Sequence, residues 1–175
     1  MVSGFLVVLE PKVSRNTGKL YAGVGRVPPY PSNEPAQEPA MDEYVFGGVK
    51  DPDTNMIPSL GAAVRLCNML NCGSRRFEII YCRDGDQPFP RSELEIETAE
   101  PLGYDIATVR TEYWSIVDDI SPSDWAIPYR RLLNSSGLFS SRTDAEDYLR
   151  DYRAHKEWDA DFPFEVVEVI RIKPR

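Results

Sequence analysis

Histidine, cysteine and long apolar runs are scarce in this 175-residue sequence, and each scarcity excludes a class of protein. The one histidine, His155, excludes metal sites built from several histidines and leaves one base for a Ser-His or Cys-His pair. No stretch approaches the roughly 18 apolar residues of a membrane-spanning helix. The first apolar run, Phe5–Leu9, is too short for a signal peptide and has no basic residue before it. We therefore expect a cytoplasmic protein without a membrane span.

The three cysteines, Cys67, Cys72 and Cys82, are an odd number and lack the C-x-x-C spacing of zinc and redox sites. Two of them lie in an apolar, helix-like segment. Because free cysteine usually behaves as a small core residue, we expect buried, unreactive thiols in a reducing compartment.

Positive charge is nearly absent from residues 92–124, which carry nine acids and one base, Arg110. That segment alone accounts for the net charge of −8 of the whole chain. Such a field repels nucleic acid and anionic lipid, and it attracts a cationic partner. The alternative is that these acids face water and only keep the protein soluble.

Apolar patterning predicts a single α+β domain over residues 1–175, with two principal amphipathic helices packed on a mainly antiparallel or mixed sheet. Ser59 and Ser141 each precede a three-and-four apolar spacing that predicts a helix. Phe5–Leu9 is apolar throughout, which predicts a central strand. Further strands are predicted at 19–27, 77–82, 94–97, 113–117 and 164–172, a short helix at 125–133, and an exposed proline-rich loop at about 28–40.

Two local patterns bear on how these elements connect. Asp84-Gly85 has the chemistry of a hairpin turn. The two helix-then-strand units also echo each other, which raises the hypothesis of a duplicated half. The echo matches Ser59, Ala63 and Phe77-Glu78-Ile79-Ile80 with Ser141, Ala145 and Phe164-Glu165-Val166-Val167.

Signatures of catalysis and cofactor binding are missing from the sequence, which has no phosphate loop, dinucleotide fingerprint or nucleophile elbow. We therefore expect no cofactor, no metal and no catalytic residue. His155 lies near the end of a charged helix, where a histidine needs no catalytic role. Carboxylates are the remaining route to acid-base chemistry, with Asp118 and Asp119 beside Asp105 or Glu112. They could serve a small hydrolase only if a cleft separated their pKa values.

Aromatic residues inside the acidic segment indicate a partner surface, because an aromatic anchor within a polar rim is typical of protein interfaces. The predicted partner-binding residues are seven acids and four aromatics. They are Glu93, Glu95, Glu97, Asp105, Glu112, Asp118, Asp119, Tyr104, Tyr113, Trp114 and Trp125.

Three short segments carry a resemblance to a known group of proteins. They are Leu102-Gly103-Tyr104-Asp105-Ile106, Trp114-Ser115-Ile116-Val117, and Leu133-Asn134-Ser135-Ser136-Gly137-Leu138-Phe139 before an alanine-containing helix. In this order they resemble immunity proteins of bacterial polymorphic-toxin systems, over about the last 70 residues. The resemblance implies a cytosolic protein that binds a cognate toxin, blocks its active site or substrate access, and performs no chemistry.

Residues and resemblance together predict a non-catalytic inhibitor of a cationic toxin or enzyme, with no nucleic-acid or membrane partner. Many toxins that cut nucleic acid have basic clefts, so an acidic surface would give fast and specific association. Two alternatives stay open. One is a phage or mobile-element inhibitor, or nucleic-acid mimic, acting on a host defence enzyme; the other is a small carboxylate-dependent hydrolase.

Overall fold

The computed structural model describes residues 3–9, 12–13, 20–21, 39, 42, 47–54, 56–72, 76–85, 87–90, 94–108, 114–117, 120, 123–156 and 161–175. The strands within these ranges are β1 (Ser3–Leu9), β2 (Lys12–Val13), β3 (Leu20–Tyr21), β4 (Phe77–Arg83), β5 (Ile96–Thr108), β6 (Trp114–Ser115) and β7 (Phe164–Pro174). The helices are α1 (Leu60–Leu70), α2 (Ile127–Arg130) and α3 (Arg142–His155). Apart from Pro39, the predicted proline-rich loop lies outside the described residues.

Five strands form one antiparallel sheet in the order β1-β4-β7-β5-β6, and β2 pairs with β3 separately. This sheet, with α1 and α3, confirms the predicted α+β class. The hairpin predicted at Asp84-Gly85 is wrong, because β4 pairs with β1 and β7 whereas β5 pairs with β7 and β6. Gly85 still turns the chain with a φ of +65°.

Strand β1 is buried at Gly4–Val8 but lies at an edge of the sheet, so the prediction of a central strand is wrong. The side chains of β1 are buried by residues that pack on the two faces of the sheet, and among the described strands of this sheet β4 is the one that pairs with β1. Phe5 and Ile57 exchange two backbone hydrogen bonds of 2.8 Å at this edge. A continuous apolar run therefore indicated burial on both faces correctly, but not position within the sheet.

Both long helices cover the same face of the sheet. Alternation along β7 places Phe164 and Val166 in the cluster under α3, and Ile170 and Ile172 in the cluster under α1. The apolar stripes that the sequence predicts are buried. They are Leu60, Ala63, Leu66, Cys67 and Leu70 on α1, and Ala145, Tyr148, Leu149 and Tyr152 on α3. Among the helices of the described ranges, none is long and apolar enough to cross a membrane.

The fold repeats one arrangement twice, as the sequence echo suggested. Each copy runs from an outer strand through an Asp- or Asn-centred loop to a serine-capped helix and then an inner strand. The equivalent positions are Gly4 and Gly103, Phe5 and Tyr104, Asp51 and Asn134, Met56 and Leu138, Ile57 and Phe139, Ser59 and Ser141, Ala63 and Ala145, Cys67 and Leu149, Leu70 and Tyr152, and Phe77 and Phe164.

The hydrogen bonds of the two copies agree closely. The Phe5 N–H donates to the Ile57 carbonyl at 2.8 Å, and the Tyr104 N–H donates to the Phe139 carbonyl at the same distance. The two inner strands, β4 and β7, pair antiparallel at the centre of the sheet with Cys82 opposite the corresponding residue of β7. The two halves are therefore related by an approximate two-fold axis through the middle of the sheet.

The loop that precedes each helix is built on one side chain. The Asp51 carboxylate accepts hydrogen bonds from the backbone N–H groups of residues 53 and 54. The side-chain oxygen of Asn134, Oδ1, accepts from the backbone N–H groups of residues 136 and 138. The backbone N–H of Asp51 donates to Met56 O, and that of Asn134 donates to Leu138 O, each at 2.8 Å. Asp and Asn side chains mimic a turn of backbone in this way, so the loops are organised locally.

Each half also receives an insertion at the same point, between the outer strand and this loop. Residues 10–50 form the insertion of the first half, and residues 109–133 form that of the second. Insertions on a repeated scaffold are where binding residues are most often found. The second insertion contains β6, α2 and most of the predicted aromatic anchors.

Candidate interaction surface

Trp114 on β6 and Phe162 just before β7 form an exposed aromatic pair. Their side chains are 45% and 44% exposed, and their ring centroids lie 5.9 Å apart with an interplanar angle of 79°. Both rings rest on Phe164, at 5.5 Å from Trp114 and 5.9 Å from Phe162. Because Phe164 is itself only 2% exposed, the pair is a fixed outer layer on a core ring. We call Trp114, Phe162 and Phe164 the aromatic platform.

Sequence reasoning missed Phe162, although a signal for it was present. Phe162 follows the acids Asp159 and Asp161 and precedes Pro163, so it combines an aromatic ring with an acid-rich segment in the same way as Trp114. Thr108 pairs with both Trp114 and Phe164 across the sheet, which brings Trp114 beside Phe164. Phe162 lies two residues before Phe164 and therefore meets Trp114 at the same place. That juxtaposition depends on strand order, which no local pattern supplies.

Trp125 was predicted as a partner-binding residue, and the structure places it between two rings of α3. It stacks on Tyr148 at 5.7 Å and 17°, and on His155 at 4.7 Å and 7°. Two turns of helix rise by about 10.5 Å, which leaves room for one intervening ring. Trp125 is half-buried and attaches the segment before α2 to α3. His155 ends that helix, as predicted, and its Nδ1 lies 2.8 Å from the Asp151 carbonyl oxygen.

Tyr129 of α2 makes a second attachment to α3, through a short hydrogen bond from its hydroxyl to the Asp151 carboxylate. Burial, this hydrogen bond and the negative charges of Asp151 and Asp147 together raise the pKa of Tyr129 to about 12. Tyr104, another predicted residue, is half-buried and packs against the same cluster. Trp125 and Tyr129 therefore hold the second insertion on the core.

Asp105 is fully buried, which corrects the expectation of an exposed acid at this position. Its Oδ1 accepts a hydrogen bond of 2.6 Å from the Ser115 hydroxyl and one of 2.8 Å from the Ile106 N–H. The Ser115 oxygen in turn accepts from the Val117 N–H at 3.1 Å. A buried carboxylate requires such donors, so Asp105 ties β6 to β5 instead of facing a partner.

The acids at the beginning of β5 are exposed, but each faces a cation of the C-terminal strand. Glu95 contacts Arg175 at 2.6 Å, and Glu97 contacts Lys173 at 2.9 Å. Glu100 is paired in the same way with Arg171 at 2.9 Å. The predicted partner-binding acids Glu95 and Glu97, together with Glu100, therefore form a ladder of ion pairs, which lowers their value as an acidic docking surface.

Five of the predicted partner-binding residues lie outside the described residues. They are Glu93, Glu112, Tyr113, Asp118 and Asp119.

A groove of about 290 Å³ opens between α1 and the ends of β4 and β7. It forms because β4 and β7 pair only from Ile79 onward, so the strands separate beside Phe77. The Asn71 side chain takes the place of the missing strand, accepting from the Phe77 N–H at 2.7 Å and donating to its carbonyl at 3.1 Å. Cys67 lines the groove, and burial, with a smaller contribution from the Glu78 charge, raises the pKa of its thiol to about 11.

The chemistry of this groove is limited by the contacts of its charged groups. Glu78, the one carboxylate among its lining residues, accepts a 3.0 Å hydrogen bond from Arg171. No group of three or more potential metal ligands occurs in the described part of the chain. The groove is a packing feature of the separated strands, whereas the aromatic platform is the stronger candidate for a site.

No protein-family model, curated protein or solved structure matches the chain. The assignment of a function therefore depends on the residues and geometry of this chain alone.

Proposed function

We propose that the protein is a non-catalytic binding protein, and that it acts as an immunity protein which neutralises a cognate bacterial toxin by covering its active site. The observation that carries this proposal is the aromatic platform, with Trp114 and Phe162 each nearly half exposed. Tryptophan and other aromatic residues supply much of the binding energy of protein interfaces, particularly when they are held rigid before binding.

The size of the platform suits an anchor within a larger interface. Aromatic side chains present roughly 150–250 Å² each, so the exposed parts of Trp114 and Phe162 together offer about 200 Å². At about 25 cal/mol per Å² their complete burial would contribute about 5 kcal/mol. Association itself costs roughly 4 kcal/mol or more, so surrounding contacts must add to the pair.

The alternatives have less support from the described residues. A nucleic-acid mimic needs carboxylates spaced along one face like phosphates, but Glu95, Glu97 and Glu100 are each matched by a cation. A hydrolase needs two carboxylates in a common cleft. Asp105, one of its candidates, is buried and bound to Ser115. Protein binding is the function that uses the exposed features.

The proposal is tested by capturing the partner and measuring its affinity for variants. The tagged protein is used to isolate binding partners from a lysate of its native host, and the products of adjacent genes are included among the candidates. The captured protein is then purified. We expect Trp114→Ala to weaken binding at least tenfold, since truncation of an aromatic anchor typically costs 2 kcal/mol or more, which is about thirtyfold. Co-expression should protect cells from that partner, and Trp114→Ala should reduce the protection.

Leu94→Ala is the matched control. Leu94 is 41% exposed and lies before the opposite end of β5, far along the strand from the platform. We expect this variant to bind within twofold of the native protein. If Trp114→Ala and Phe162→Ala both retained full affinity while remaining folded, the platform would not be the docking site.

A further inference from the structure

We infer that the aromatic platform receives an arginine side chain from a cationic partner protein. This inference rests on the proposed function and specifies the chemistry of the partner at the same site. The electron-rich faces of indole and phenyl rings attract a guanidinium group, and tryptophan is the strongest acceptor among the aromatic side chains. An exposed Trp114 held by Phe164 is a surface of this kind.

The charges of the two segments that carry the rings favour a cation over an anion. Residues 111–124, around Trp114, contain four acids and no Lys, Arg or His. Residues 157–165, around Phe162, also contain four acids and no basic residue. Acids that adjoin the rings in sequence, such as Glu112 and Asp161, raise the local concentration of cationic groups and repel anionic ones. The rings and the charge therefore select the same class of partner.

A guanidinium group already lies beside the platform in the folded protein. The Arg153 side chain donates a 3.1 Å hydrogen bond to the carbonyl of Phe164. In the first half, the equivalent Asn71 donates to the carbonyl of Phe77 at the same distance. Arg153 thus performs a structural role that an uncharged side chain fulfils in the other half, and its guanidinium lies at the border of the platform.

Arginine is expected to bind better than lysine because its flat guanidinium stacks on a ring, whereas an ammonium group is compact and strongly hydrated. The difference separates stacking on the platform from general attraction to acids. A binding mode governed only by net charge would treat the two cations alike.

The test uses short peptides and does not require the natural partner. The ¹⁵N-labelled full chain is titrated with tetra-arginine, tetra-lysine and tetra-glutamate, and the indole N–H signal of Trp114 is followed by NMR. We expect tetra-arginine to shift this signal with at least threefold higher affinity than tetra-lysine, and tetra-glutamate to have no effect. Trp114→Leu and Phe162→Leu should each weaken tetra-arginine binding at least threefold, while Leu94→Ala leaves it unchanged.

The outcomes distinguish this inference from the proposed function. Equal affinity for the arginine and lysine peptides, or no shift of the Trp114 signal, would overturn the arginine inference even if a protein partner that needs Trp114 were captured. Retention of tetra-arginine binding in both leucine variants would overturn it as well. Failure to capture a toxin would count against the proposed function alone, because the peptide titration measures the platform directly.

Discussion

Replacement of Gly103 by alanine tests the close contact between β5 and the loop that precedes α3. Gly103 lies in β5 with a φ of +135°, a backbone conformation that residues other than glycine rarely adopt. A Cβ atom at this position would lie 2.6 Å from the Phe139 carbonyl oxygen, 2.9 Å from Asn134 Nδ2 and 3.0 Å from Leu138 Cβ. Backbone and packed side chains surround it, so the strand and the loop would have to separate.

The expected loss follows from the contacts that this separation breaks. Backbone strain of this type costs about 1–3 kcal/mol. Loss of the two hydrogen bonds between Tyr104 and Phe139 would add about 1 kcal/mol each. We therefore expect Gly103→Ala to lower the free energy of unfolding by about 3–5 kcal/mol, a large part of the roughly 5–15 kcal/mol of a typical domain. Urea denaturation gives the free energy, and the melting temperature should fall by about 10 °C.

Gly61→Ala is the matched control for this substitution. Gly61 lies in the first turn of α1, and a Cβ there would meet only the end of the Arg65 side chain at 3.9 Å. Alanine is favoured over glycine in a helix, so this variant should be more stable by about 0.5–1 kcal/mol. If Gly103→Ala changed the stability by less than 1 kcal/mol, the close approach of β5 to the loop would be refuted.

Three further predictions concern buried or hydrogen-bonded groups. The expectation of buried thiols is wrong for Cys72, which is exposed. A thiol reagent should therefore label Cys72 in the native protein but Cys67 only on unfolding, because burial raises the pKa of Cys67 to about 11; rapid native labelling of both would contradict this. Spectrophotometric titration should give Tyr129 a pKa of about 12 instead of the ordinary 10.0, and Asp151→Asn should lower it. Because the folded-state pKa is raised, the stabilisation from Tyr129 is complete below pH 10 and is lost as the pH rises through 12; an unchanged pKa in the variant would show that Asp151 is not its partner. Asp105→Ala leaves buried donors unpaired and should destabilise the protein by about 2 kcal/mol or more in urea denaturation, so a loss below 1 kcal/mol would contradict its structural role.

Local signals predicted the helices well because helix formation depends on neighbours in sequence. Ser59 and Ser141 cap their helices as predicted, with nearly identical backbone angles of φ −125° and ψ 141° or 137°. Strand β5 was predicted at only 94–97 but extends to Thr108, through Pro101 and Gly103, which are typical strand breakers. Both residues lie instead at a register shift between β5 and β7, where the ladder tolerates them.

The site was predicted in part, and the errors have a common physical cause. Trp114, which the sequence names as a partner-binding residue, is an exposed aromatic residue of the acidic segment. Asp105 and Glu97 were placed on an acidic surface, because a sequence segment shows its charges but not the groups that the fold brings beside them. The partner of Asp105 comes from another strand, and Glu97 is matched by Lys173 from the C-terminal strand. Long-range pairing therefore decides which acids remain available to a partner.

The repeated architecture explains why the candidate binding surface lies in the second half. Equivalent positions keep the same role where they hold the fold together, as the bridges of Phe5 and Tyr104 show. At the end of the outer strand the halves diverge: Leu9 in the first half corresponds to Thr108 in the second, and Thr108 pairs with Trp114. The second half thus adds β6 at this point, and that strand brings Trp114 onto the core ring of Phe164. A residue that the repeat does not require and that the core holds exposed fits the binding role that we propose.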